Sequence, residues 1–205
     1  MKVGRGRFLA AILCGSLVFP LSFFGQQGMV QQDSPRPKKV LTPEQEAYQQ
    51  QAREYFEKRQ DLQAQAKRVF DAETARENAG DCPDAGTTYD FNVCFGKQLT
   101  VTDQNLRSFE DILRKLQTDP PAMPGASEGP TTGPAGPVLS QGQLVAEFDQ
   151  VEKIWGKYLE SACQTAFHQF AGGTGGPSFE MQCRLKLTRD HMRELDMIYG
   201  SDLHR

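Results

Sequence analysis

Four cysteines set inside a helical pattern constrain this chain more than anything else in it. Cys82 and Cys94 bracket a turn-rich stretch that opens a helical pattern. Cys163 lies late in a second pattern, Cys183 early in a third, and a glycine-rich segment separates them. A fifth cysteine, Cys14, sits in an apolar run from Phe8 to Phe24. That run follows Lys2, Arg5 and Arg7, contains Pro20 and ends near Gly25. A basic start, a short apolar stretch and a small exit residue have the form of a secretory signal peptide over residues 1–25. A membrane anchor is the weaker reading, because a span takes about 20 apolar residues and Pro20 interrupts this run. Lipid attachment at Cys14 is disfavoured by Leu13, where a small residue is needed.

Cleavage leaves an even four cysteines in an exported chain, and that combination favours disulfides. The sparing pairing joins Cys82 to Cys94 and Cys163 to Cys183. Each bridge would close a loop of roughly one to two dozen residues and stabilise by about 3 kcal/mol. Four cysteines have three connectivities, so other pairings stay open. A zinc site is the weaker alternative, since the spacings lack CxxC and no histidine falls at a supporting position. The absence of CxxCH leaves covalent haem unsupported. Losing Lys2, Arg5 and Arg7 takes the formal charge from −3 to about −6. A mildly acidic mature chain disfavours nucleic acid and anionic membrane surfaces and mildly favours a basic partner.

The remaining pattern is helical. Residues 26–41 are polar, carry Pro35, Arg36, Pro37, Lys38 and Lys39, and read as a disordered tether. Thr42-Pro43-Glu44-Gln45 starts a helix over 42–79: threonine caps, proline fits the first turn and Gln45 completes a capping box. Its stripe is Tyr48, Ala52, Tyr55, Leu62, Ala66 and Val69, interrupted by Arg59 and stopped by Asn78 and Gly80. A second helix begins near Thr87 and Asp90. Its stripe (Phe95, Leu99, Thr102, Leu106, Phe109, Leu113, Leu116) alternates steps of four and three, the signature of near-parallel helix packing. Six prolines and five glycines in 119–142 make that stretch a flexible linker. Ser140 and Gln143 cap a third helix with the stripe Leu144, Phe148, Val151, Trp155, Tyr158, Ala162 and Thr165. A fourth follows Pro177-Ser178 with Met181, Leu185, Thr188, Met192, Leu195 and Tyr199, leaving 201–205 as a tail. No stretch alternates as a strand does, so the expected fold is all-α, an antiparallel bundle of about four helices with two disulfides.

Catalytic constellations are missing. There is no GxSxG, HExxH, P-loop or GxGxxG. Gly172-Gly173-Thr174-Gly175-Gly176 lacks the lysine and preceding strand of a phosphate loop and reads as a helix connector. His168, His191 and His204 read as surface or loop residues. Glu147, Glu152 and Glu160 read as solvated carboxylates. Trp155 and Tyr158 lie on an apolar stripe and read as core. No catalytic residue, metal ligand or cofactor is expected.

Taken together, the motifs resemble a known family. Cys82 followed by Thr87-Thr88-x-Asp90-x-Asn92-x-Cys94 is similar to the opening of LprI-like lysozyme inhibitors. Asp103-x-x-Leu106-x-x-Phe109, Trp155-x-x-Tyr158-x-x-x-x-Cys163, Gly172-Gly173, Cys183-x-x-x-Leu187-Thr188 and Glu194-Leu195 follow in the family's order, so the resemblance spans about 80–200. The chain departs from the pattern at Arg107, Phe109, Leu159-Glu160 and His191, the last standing where arginine is usual. The resemblance implies an extracytoplasmic, disulfide-bonded helical domain, periplasmic or secreted, some of whose relatives inhibit lysozyme. Occluding the cleft of a basic muramidase calls for an acidic or loop surface. Gly172, Gly173, Thr174 and Glu160 are the expected binding residues. The partner expected is lysozyme or another basic extracytoplasmic protein, and oligomeric state stays open. The rival expectation, motivated by the added helix at 42–79 and the long linker, is a non-catalytic envelope adaptor.

Overall fold

The computed structural model describes residues 41–117, 120–125, 132–133, 136–137, 139–170 and 173–203. The expected signal peptide, nearly all of the tether, and His204 lie outside them. Four helices make up the described fold: α1 (Pro43–Ala79), α2 (Thr88–Leu116), α3 (Gln141–His168) and α4 (Gly176–Leu203). The first three each begin at a capping box, with Thr42, Thr87 and Ser140 exchanging hydrogen bonds with Gln45, Asp90 and Gln143. Those reciprocal bonds satisfy amide donors that have no partner inside the helix. Gly80, at φ +84°, ends α1 in a backbone conformation that side-chain-bearing residues rarely adopt. Two paired two-residue strands, β1 (Thr132–Gly133) and β2 (Gly136–Pro137), lie in the proline-rich stretch expected to hold no regular element. They form a local hairpin ladder and leave the all-α class unchanged.

Sequence neighbours run antiparallel, as expected. α2 and α4 are parallel and form the central pair, with Asn92 bonded to Ser178 near the start of both. α1 packs against both members of that pair, and α3 mainly against α4. Leu106, Phe109, Leu113, Phe148, Met192 and Leu195 build the main core, and Leu62 and Ala66 of α1 belong to it. The stretch 42–79 therefore shares one core with the region that follows. Burying six such side chains is worth roughly 1.5–3 kcal/mol each.

One boundary shifts. α4 continues through Leu203, which is buried in the main core, so 201–203 is helix rather than tail. At the same end, Arg59 of α1 donates to the Leu116 carbonyl and to Asp202. The segment 43–58 thus runs on past the last residues of α2 and α4, about 24 Å of helix at 1.5 Å per residue. It carries Tyr48 and Tyr55, half-buried, and Phe56, exposed.

Candidate functional site

Both disulfides form, with the sparing connectivity: Cys82–Cys94 and Cys163–Cys183, Cα atoms 5.8 and 5.4 Å apart. They lie at one end of the bundle, where α2 and α4 begin and α3 ends. A small second core of Cys82, Phe95 and Leu185, flanked by Phe91, Cys94, Leu99 and Met181, packs around the first bridge. The connection from α3 to α4 is pinned at its base. Phe170 stacks on Phe179 with ring centroids 3.6 Å apart and planes 3° from parallel. Gly176 opens α4 where an added Cβ would fall 3.0 Å from the Phe167 ring, a separation that only glycine relieves. The disulfide, the stacked pair and the close approach of Gly176 to Phe167 therefore hold the two ends of this connection together. Beside it runs a groove of about 550 Å³ lined by Glu77, Asp81, Phe95, Phe179, Leu185 and Arg189, among others.

The expected binding residues divide. Gly173 and Thr174 lie in this loop and are exposed, with the Gly173 N–H donating to the Phe170 carbonyl at 3.0 Å. Gly172 lies outside the described residues. Glu160 is not brought to the loop. It sits two turns back on α3, roughly 12 Å along the axis, exposed and paired with Arg184 of α4.

Three expectations from the sequence are corrected on α3 and α4. His191 is not a surface or loop residue, since only 4% of its side chain is exposed. Its Nε2 lies 2.9 Å from a Glu152 oxygen and its Nδ1 3.3 Å from Glu194. Glu152 is not solvated either: its side chain is 12% exposed, and Oε1 is buried with no hydrogen-bond partner. Burial alone would lower the His191 pKa, but Glu152, then Glu194 and Glu110, outweigh burial and raise it. Burial and then the facing Glu152 push Glu110 up to about 7, against the pull of His191 and Arg114. Trp155 packs against the main core as expected, with its ring stacked on His191 at 4.0 Å. A cleft of about 250 Å³ opens above this cluster, lined by Asp103, Leu106, Arg107, Glu110, Trp155 and Arg184, together with Leu159. Tyr158 is the third correction. It is 57% exposed and belongs with Val151, Ile154 and Leu144 to a flank of α3 turned outward. The buried face of α3 follows Phe148, Glu152, Trp155 and Leu159 instead, one position round from the expected stripe.

Sequence reasoning missed the largest polar feature. Glu73 of α1 and Arg189 of α4 meet in the interior, and Arg189 reaches on to both oxygens of Asp81 at 2.6 and 2.9 Å. Thr102 and Asn105 of α2 donate to Glu73, each at 2.7 Å. Burial would raise the Glu73 pKa, but bonds from Arg189, Thr102 and Asn105 and the charge of Arg76 hold it below the usual carboxylate range. The one available signal was register: Glu73 falls four residues after Val69 on the apolar stripe of α1, and Arg189 lies next to Thr188 on that of α4.

Among known proteins, the family model described as lysozyme inhibitor LprI matches residues 79–195, more than half of the chain. No curated protein and no solved structure gives a significant match. The matched span contains both disulfides, the loop at 173–175 and the Glu110–Glu152–His191 cluster, and it starts at the last residue of α1.

Proposed function

This chain belongs to the LprI lysozyme inhibitor family, and on that premise we propose that it is a non-catalytic, exported binding protein that blocks a lysozyme with the disulfide-bearing end of its bundle. The observation that carries this reading is the loop at that end. It is exposed at its tip and held at its base by Cys163–Cys183 and the Phe170–Phe179 stack. A loop anchored at both ends loses less conformational freedom when it enters a cleft than a free one, and that saving goes into affinity. Thr174 and Gly173, exposed in that loop, would enter the cleft of the enzyme. Export is supported by the N-terminal signal pattern and by the disulfides, which persist in oxidising compartments. No helix of the described residues is long and apolar enough to cross a membrane.

The test is protection of bacterial cell walls from chicken-type and goose-type lysozymes by oxidised residues 26–205, with a reduced and alkylated sample as control. Dose-dependent protection that disappears on reduction supports the reading. No protection at large molar excess over both enzymes overturns it for those types.

The segment 43–58 favours a second reading, an envelope adaptor that holds a partner through the projecting part of α1. Replacing Tyr48 and Phe56 with aspartate separates the two. An inhibitor acting through the loop keeps its activity, whereas an adaptor loses its partner.

A further inference from the structure

We infer that Glu110, Glu152 and His191 form a binding site for one divalent cation of the zinc class. One ligand atom from each residue lies within 4.8 Å of the others, on three different helices. Donor atoms bound to a tetrahedral zinc at about 2.0–2.2 Å stand roughly 3.3–3.6 Å apart, so small side-chain adjustments close the site.

The hydrogen bonding carries the argument. Both ring nitrogens of His191 face carboxylate oxygens, Nε2 toward Glu152 and Nδ1 toward Glu194. A neutral imidazole has one donor and cannot serve both. A proton on the ring removes that conflict, and a cation on Nε2 does so equally by taking that proton's place. Nδ1–H then donates to Glu194, the outer carboxylate–histidine arrangement that orients metal-bound imidazoles. Glu152 faces the same point from α3. Its Oε1 is buried and has no donor among the described residues unless Glu110 carries a proton. Two carboxylates held face to face against a histidine repel each other unless a proton or a cation lies between them. Arg114, whose charge reaches Glu110, is turned to Asp149, with bonds of 2.7 and 2.9 Å.

The surroundings suit a bound ion. Trp155 covers the His191 ring at 4.0 Å and fixes its orientation. Glu110 lines both the cluster and the open cleft above it, which gives an ion a way in and leaves room for a water as fourth ligand. One imidazole and two carboxylates match the ligand set of zinc-type ions better than that of magnesium or calcium, which take oxygen alone.

Trp155 is the only tryptophan of the chain and touches the proposed ligand, so its fluorescence reports on the site directly. The experiment titrates untagged, oxidised residues 26–205, freed of metal by chelation, with Co²⁺, and then displaces Co²⁺ with Zn²⁺. Saturable quenching at one ion per chain, reversed by Zn²⁺, is expected. Glu152→Gln and Glu110→Gln, each checked for an unchanged helical spectrum, should weaken binding at least tenfold. No saturable quenching at submillimolar Co²⁺ overturns the site, as does quenching that survives both substitutions. If Glu152→Gln fails to fold, Glu110→Gln and the wild-type titration decide alone. The result is independent of whether the chain inhibits lysozyme.

Discussion

Arg189 and Glu73 meet inside the bundle, Nε to Oε1 at 2.8 Å, with 4% and 3% of their side chains exposed. The contact joins α4 to α1, a helix that lies almost wholly outside the span matched by the family. Two buried charges gain little as a pair over apolar packing, but either one alone is costly in a low-dielectric interior. Arg189→Met should therefore lower stability by about 3–5 kcal/mol. Arg189→Met combined with Glu73→Leu should recover part of that loss, leaving Asp81 at the rim. Urea unfolding of both variants checks the order.

The same contact predicts how the chain behaves when cut. A fragment of residues 79–195 keeps Arg189 but loses Glu73, Leu62 and Ala66, which complete the ion pair and the core. It should show no cooperative thermal transition. A chain starting at residue 59 retains all of these groups and should melt cooperatively. Melting curves of the two fragments followed by circular dichroism decide the point.

Between about pH 5 and pH 8, stability should fall as pH rises. Glu110 sits at about 7 in the fold against roughly 4.3 unfolded, so the native state binds the extra proton in this window and loses that advantage as it titrates. His191 acts in the same direction, because its raised pKa gives stability that is complete below about 6.5 and fades as pH climbs through the folded value. The groups facing them are Glu152 from α3, Glu194 from α4 and Arg114 from α2. Glu73 and Asp190, whose pKa values are lowered, act with the opposite sign and only in more acid solution. The expected loss is on the order of 1–2 kcal/mol, a few degrees in melting temperature for a domain of this size. In chelator, Glu110→Gln should flatten the profile and leave only the His191 part.

The second bridge should matter more than its loop length suggests. Cys163 is fully buried where α3 packs on α4. Replacing Cys163 and Cys183 by serine removes roughly 3 kcal/mol of loop-closure stabilisation and places a hydroxyl in an apolar site. The same change frees the end of α3 that holds Phe170 against Phe179. Inhibition should weaken even at temperatures where the rest of the bundle stays folded, and a cell-wall lysis assay beside a melting curve separates the two effects.

Much of this fold was legible because local signals and packing agree. Three capping boxes, the four-three stepping of α2 and the alternation on α4 each name a helix and its inner face. α3 misled because its apolar residues cover a wider arc than its neighbours bury, so Val151 and Tyr158 look like core at Trp155's spacing yet turn outward. His191 and Glu152 misled for another reason. A polar residue on an inner face has no sequence mark that separates buried and partnered from solvated, since its partners come from other helices. The departure from arginine at position 191 was visible, but its meaning rests on Glu110 and Glu152, far away in the chain. The sequence reads the loop as a connector, and only the Phe170–Phe179 stack and the closeness of Gly176 to Phe167 show that its ends are held together.

That closeness gives the sharpest test of the loop. Alanine at Gly176 puts a methyl 3.0 and 3.1 Å from two carbons of the Phe167 ring and 3.4 Å from its carbonyl oxygen, so the ring or the start of α4 must move. Overpacking of this kind costs typically 1–3 kcal/mol, and here it also shifts the base of the loop. Alanine at Gly173 meets only the Phe170 carbonyl, at 3.5 Å, an ordinary contact. Gly176→Ala should therefore lower both melting temperature and lysozyme inhibition, whereas Gly173→Ala should leave the melting temperature within about 1 °C, a near-neutral surface change. The tip residue then isolates recognition from stability. Thr174→Trp enlarges an exposed side chain with no packing consequence for the bundle, so a loss of inhibition at unchanged melting temperature places the loop in the lysozyme cleft. Full inhibition by Thr174→Trp moves the contact surface away from the loop, and the exposed α3 flank of Val151, Ile154 and Tyr158 becomes the next face to substitute.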